Sequence, residues 1–247
     1  MHGFTWGEVA WAAISIFIAY FCRGVAGFGT GLIATPLLAM ALPMRVIVPM
    51  NTLLVSLVFV FLSIRDRRRV VWAELRLMIV ATLVGVLAGL LIFKSLDNHV
   101  LMRLLGGFIV IYALYTLVVH AYGLPPFTCS RGWAFPAAML GSFTDMLFGG
   151  GGGAVVVIYL HARGVTGLPF RATVATLWLV EVLARVTAYA TVGFYTTDVL
   201  LLSAALLLFV VAGNWAGERI GNRIRPETFS KALAVLLLAA GVKLLFH

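Results

Sequence analysis

An all-α, polytopic membrane fold with two inverted-topology repeats, each a broken or re-entrant helical hairpin plus three transmembrane helices, is predicted by three observations. First, 62% of the 247 residues are hydrophobic and only 11% are charged, too little polar surface to enclose an apolar interior of this size in water. Second, six apolar runs of about 19 to 25 residues, each long enough to cross a ~30 Å hydrocarbon core as helix, lie near 46–64, 74–93, 100–119, 172–194, 199–217 and 227–246. Third, one signature occurs twice, about 120 residues apart. GFGTG at Gly27 to Gly31 precedes LPMR at Leu42 to Arg45, and GGGGG at Gly149 to Gly153 precedes LPFR at Leu168 to Arg171.

The first long apolar stretch, 8–42, exceeds one crossing and is interrupted by its glycines, so it is predicted to be a broken hairpin. No basic segment precedes residues 8–22, which are therefore expected to stay in the mature protein. The next three runs complete a first repeat over 1–119. A polar linker with Gly123, Pro125 and Pro126 occupies 120–131 and is expected to be cytoplasmic. The second long stretch, 132–167, opens a second repeat over 132–247 and again carries its glycines in the middle. The halves align with an offset of 122 at the glycines, 126 at the LPxR turns and 128 where Gly85 and Gly89 meet Gly213 and Gly217, a drift that loops can absorb.

Arginine placement sets the orientation. Arg65, Arg67, Arg68 and Arg69 form the densest basic loop and mark the cytoplasmic side. If both hairpins return to the side they left, twelve Lys and Arg lie inside and four outside; a single crossing by 132–167 leaves six inside and ten outside. The first arrangement inverts the second repeat, puts both termini in the periplasm and provides two related conformations, one open to each side.

The formal charge of +9 sits in short loops between apolar runs, where it sets topology, so no nucleic-acid partner is expected. Cys22 lies in an apolar segment and Cys129 in a linker, which supports neither a disulfide nor a thiolate metal site. No HExxH, P-loop, CxxC or nucleophile-elbow pattern occurs. The expectation is a protein that is not an enzyme, without cofactor or metal.

The glycine clusters let the backbone leave helical geometry within the bilayer, and a helix restarting at Leu32 or Ala154 presents its positive dipole end. That end suits an anion. Close helix packing is the competing role for such glycines. Candidate substrate-binding residues are Arg23, Gly27, Gly29, Thr30, Gly31, Asn51, Gly149, Gly150, Gly151, Gly152, Gly153 and Thr176, with Ser142, Thr144 and Thr173 as further hydroxyls near the breaks. Arg23 precedes the first cluster by four residues and Asp145, its equivalent at the offset of 122, precedes the second by four. Two roles are open for this pair: Arg23 holds an anion while Asp145 accepts a coupling proton, or the two form a buried ion pair. Glu181 and Arg185, at i and i+4 on one helix face, are either a structural salt bridge or part of the coupling and gating machinery with Asp145. His161 is a candidate pH-sensitive gate, with a merely solvated imidazole as the alternative. Trp6, Trp11, Trp72, Trp133 and Tyr195 fit an interfacial aromatic belt, and Trp178, in mid-span, packs in the core or lines the cavity.

AGFGTGLIATPLL at Ala26 to Leu38, the LPxR turn, the RDRRR loop, the later pair Gly85 and Gly89, and FGGGGGAVVVIYL at Phe148 to Leu160 together resemble the TauE/SafE family of bacterial membrane proteins. The resemblance covers nearly the whole chain. It implies an inner-membrane transporter of sulfite, organosulfonates or related small anions, with the lipid bilayer and the anion as its partners. Thr30 stands where a third consecutive glycine is common in the family, and no proline follows the second cluster, so the resemblance does not fix the substrate. An anion-selective channel, and a membrane partner of a sulfur-compound enzyme without transport activity, are the competing functions. The glycine pairs at 85/89 and 213/217 are expected to pack within one chain or between two chains of a homodimer.

Overall fold

The computed structural model describes residues 4–26, 29–66, 69–122, 128–221 and 226–245. Its described residues form ten α-helices: α1 (Trp6–Ala26), α2 (Thr30–Leu38), α3 (Met44–Asp66), α4 (Trp72–Ser95), α5 (Asn98–Tyr122), α6 (Ala134–Phe148), α7 (Gly153–Ala162), α8 (Gly167–Val192), α9 (Thr197–Gly221) and α10 (Pro226–Leu245). A 3-10 turn, Arg131–Trp133, leads into α6. Every predicted run is a helix, and both long stretches are broken at their glycines. The tip of the basic loop at Arg67 and Arg68, Gly123, Pro125 and Pro126 of the linker, and Gly27 lie outside the described residues.

Among the described residues, α1, α4, α5, α8 and α9 are long and apolar enough to cross a membrane. The two broken stretches differ in their arms. With 21 residues α1 reaches about 30 Å, whereas its return helix α2 has nine; α6 and α7 have 15 and 10.

The chain divides into two compact units, each drawn from both halves. One comprises Met1–Asn51, Leu96–Leu124 and Thr196–His247, the other Thr52–Ser95 and Pro125–Tyr195.

In the first unit α1 packs on α9 along a glycine seam. A Cβ at Gly213 would lie 2.6 Å from the Phe17 carbonyl oxygen, one at Gly217 would overlap that of Phe21, and one at Gly221 would lie 3.2 Å from Val25 Cα. Residue numbers rise together along this seam, so α1 and α9 run the same way. By contrast, Gly106 faces Gly241 and Leu245 while Gly241 faces Gly106 and Val110, so α5 and α10 run in opposite directions. Trp11 ties the hairpin itself, donating its indole N–H to the Leu37 carbonyl at 2.7 Å and satisfying an orphan acceptor in the last turn of α2.

In the second unit α4 packs on α6 in the same manner. A Cβ at Gly85 would overlap the Met139 carbonyl and the Ser142 hydroxyl, and one at Gly89 would lie 3.1 Å from the Phe143 carbonyl. Met139 and Phe143 stand 122 residues beyond Phe17 and Phe21, and Gly213 and Gly217 stand 128 beyond Gly85 and Gly89. The two seams therefore repeat one register. In each, the first helix of one half packs on the fourth helix of the other, within one chain. Leu75, Met78, Ala138, Val156, Leu160 and Leu177 fill the core that α4, α6, α7 and α8 share.

At one end of this unit Glu74 fastens the return helix. Its Oε2 accepts the Tyr159 hydroxyl at 2.5 Å and its Oε1 lies 3.3 Å from Arg163 Nη2. That hydrogen bond holds the Arg163 guanidinium still more firmly in its charged form.

Candidate functional site

In the first unit the break falls between Ala26 and Thr30. Gly29, at φ +89°, adopts the left-handed region that only glycine enters without strain. It is the N-cap of α2 and brings no side-chain acceptor to the first turn, which opens with buried Thr30 and half-buried Gly31. Arg23, on the last turn of α1, is 7% exposed and donates from Nη1 to Asn214 Oδ1 at 2.9 Å. Asn214 in turn donates from Nδ2 to Glu218 Oε1 at 2.7 Å. The glycine seam makes this possible, because Gly24 brings the α1 backbone against the Asn214 carbonyl and a short amide side chain then reaches the guanidinium. Asn51 donates to Thr35 Oγ1 at 3.3 Å and ties the start of α3 to α2.

In the second unit α6 ends on Gly149 at φ +77°, followed by Gly151 at φ +108°, the equivalent of Gly29 at the offset of 122. Gly152 packs directly on Gly141, where a side chain on either would strike the other's backbone. The Gly152 N–H donates to Asp145 Oδ1 at 2.7 Å, and the Gly153 N–H is directed at the same carboxyl. The amino end of α7 is thus held by the protein's own carboxylate, as helix N-termini favour.

The Glu181 carboxyl on α8 stands close to that of Asp145, so two acidic groups share this end of the second break. Arg185 Nη1 lies 3.6 Å from Glu181 Oε1, and its Nη2 donates to Thr52 Oγ1 at 2.8 Å. The Tyr189 hydroxyl donates to the Met146 carbonyl at 2.6 Å. Glu181 Oε1 and Arg185 Nε remain without a hydrogen-bond partner, although both side chains are at least 95% buried. One acceptor and one donor thus stay open beside the second break. Trp178 closes it on another side: a Cβ at Gly153 would lie 2.7 Å from the indole, which packs against Phe59 with ring centroids 5.3 Å apart.

A match along nearly the whole chain accompanies this geometry. Residues 12–244 match the family described as Sulfite exporter TauE/SafE. The chain belongs to the TauE/SafE family. No curated protein and no solved structure matches it. The TauE/SafE match takes in both glycine breaks, Arg23 and the Asp145 cluster, and with five apolar helices of spanning length it makes this a multi-pass membrane protein of a transporter family.

Within this TauE/SafE chain, Asp145, Glu181 and Arg185 come together with the second break, while Arg23 stands at the first with Asn214. Several predicted hydroxyls spend their proton on their own helix. Ser142 donates to the Ala138 carbonyl, Thr144 to Leu140, Thr173 to Pro169 and Thr176 to Ala172, each at 2.8 Å. His161 stacks on Phe170 with centroids 4.5 Å apart. Sequence reasoning missed Asn214, Glu218, Tyr189 and Thr52. Asn214 carried a usable signal, an amide inside an apolar run, next to Gly213 and four residues before Glu218.

Proposed function

We propose that this protein is a secondary transporter that exports a small anion, such as sulfite or an organosulfonate, across the bacterial inner membrane by alternating access. The observation that carries the reading is the pair of glycine breaks, each opening a short helix beside a buried charged side chain, in a chain matched along its length by a sulfite-exporter family. Arg23 and the first-turn amides of α2 offer positive charge to the anion at the first break. At the second, Asp145 occupies the amides of α7, and Arg185 and Glu181 face it. A proton gained or lost by the Asp145 and Glu181 pair changes the charge that Arg185 meets, which is the coupling role assigned to these three residues. Export of an anion from a cell negative inside is favoured by ~2.3 kcal/mol per charge per 100 mV.

Alternating access rests on inverted repeats, and three packing directions support them. α1 runs with α9, α6 runs with α4, and α5 runs against α10. In an inverted arrangement the first helix of each half runs with the fourth helix of the other, and both seams have that sense. On this reading both termini are periplasmic, which the arginine distribution supports.

The test pairs binding with flux. A detergent-solubilised sample is screened for thermal stabilisation by sulfite, sulfonates, thiosulfate, sulfate and short carboxylates, and the best ligand is followed as labelled anion in proteoliposomes. Trans substrate should accelerate exchange, as a carrier requires and a channel does not. Arg23→Gln should lose the anion-dependent stabilisation while melting normally without anion. Absence of counterflow for every anion sinks the proposal, and unchanged affinity in Arg23→Gln removes Arg23 from the site.

A further inference from the structure

We propose that the groove between α4 and the Arg131–Trp133 turn binds one anionic phospholipid, with Arg76 and Arg131 on the headgroup phosphate and Leu77, Val80 and Phe135 along an acyl chain. The groove has a volume of about 820 Å³ and lies wholly within the second unit, and its lining contains two arginines and no carboxylate. Arg76 is exposed and makes no hydrogen bond or ion pair among the described residues. Arg131, 53% exposed, is positioned by donating to the Ala73 carbonyl and by standing 3.9 Å from Glu74 Oε2. Glu74 is buried and shared among Tyr159, Arg163 and Arg131, so it offsets part of the Arg131 charge and leaves that of Arg76 to the groove.

The surroundings fix the depth of the site. Trp72 and Trp133, 52% and 61% exposed, flank the groove, and exposed tryptophans of this kind sit at the headgroup level. Leu77, Val80, Val84, Leu87 and Leu91 continue from it along α4. Their spacing of three and four places them on one helix face, and all are exposed. The stripe extends about 21 Å, more than half of a ~30 Å hydrocarbon core, so an acyl chain beside it meets apolar surface over its whole length. Exposed Arg69 and Arg171 lie at the same end of the unit, where the Val71 N–H donates to Thr173 Oγ1 at 2.9 Å. A phosphodiester carrying one net negative charge suits this cationic rim, whereas the added ammonium of a choline headgroup meets like charge.

The experiment counts bound lipid by native mass spectrometry. Wild type, Arg76→Gln, Arg76→Lys and Arg76→Gln with Arg131→Gln are titrated with phosphatidylglycerol, phosphatidylcholine or glycerol phosphate. Wild type should retain one phosphatidylglycerol in preference to phosphatidylcholine. Arg76→Gln should weaken that binding about five-fold, the double variant further, and Arg76→Lys far less. Arg76 has no part in the Glu74 network, so the single variant reads binding apart from folding. Equal retention by wild type and Arg76→Gln overturns the proposal. Phosphatidylcholine binding as tightly, glycerol phosphate displacing the lipid, or a second copy of the chain covering the stripe in its place does so too.

Discussion

Replacing Gly213 by alanine adds one methyl group, and the structure says where that group must go. Its carbon would stand 2.6 Å from the Phe17 carbonyl oxygen, whereas ordinary contact begins at 3.4 Å, so α1 and α9 must separate by roughly 0.8 Å or bend. The obstacle is backbone and cannot rotate away. Overpacking of this kind costs about 1 to 3 kcal/mol, against which alanine regains at most ~1 kcal/mol of helix propensity. The net loss, about 1 kcal/mol at the centre of these ranges, should lower the melting temperature of the purified protein by roughly 2 to 4 °C. Gly89→Ala, whose methyl would stand 2.7 Å from Met146 Cβ, should behave alike, because the two seams share one register. Gly107→Ala is the control: it has open space around it, and the propensity gain should leave it as stable as wild type or slightly more so. Thermal unfolding followed by tryptophan fluorescence decides the matter. A Gly213→Ala protein as stable as wild type, or seam variants shifting in opposite directions, refutes the duplicated close-packed seam.

Two further perturbations address the second unit. Glu74→Gln keeps one acceptor oxygen for the Tyr159 hydroxyl but replaces the other by an amide donor and removes the charge that Arg163 meets, so it should lower the melting temperature; unchanged melting would show that the carboxylate does not anchor the end of α7. Glu181→Gln keeps the size and polarity of the side chain beside Asp145 and Arg185 but cannot exchange a proton. Anion flux in proteoliposomes should then lose the pH dependence that wild type shows, and an identical pH profile in both would take Glu181 out of proton coupling.

Much of this architecture was legible because bilayer helices advertise themselves. The runs at 74–93 and 199–217 became α4 and α9 because a backbone surrounded by apolar side chains must satisfy its own polar groups. One register was legible too: offsets counted from Gly27, Gly85 and their mates reappear as contacts of Gly85 on Met139 and of Gly213 on Phe17. What stayed hidden was the exchange of partners. A sequence offset says which residues are equivalent, not which ones touch, and so it left open whether the paired glycines met within a chain or between two. It also left Arg23 and Asp145 as possible partners for each other. The structure gives Arg23 an amide on α9, while Asp145 takes the α7 amides and stands close to a carboxyl on α8.

The exchanged seams also set an order of assembly on the ribosome. α6 emerges after α4 and finds its groove already made, but α1 is synthesised first and its groove on α9 begins about 170 residues later. At roughly 5 to 20 residues per second the opening hairpin waits on the order of ten seconds or more before α9 is available. Throughout that interval Gly24 and Arg23 face lipid or the insertion machinery instead of Asn214. A helix translated well before its partner is therefore locked in place late, and premature termination anywhere before α9 leaves Arg23 without the amide that receives it.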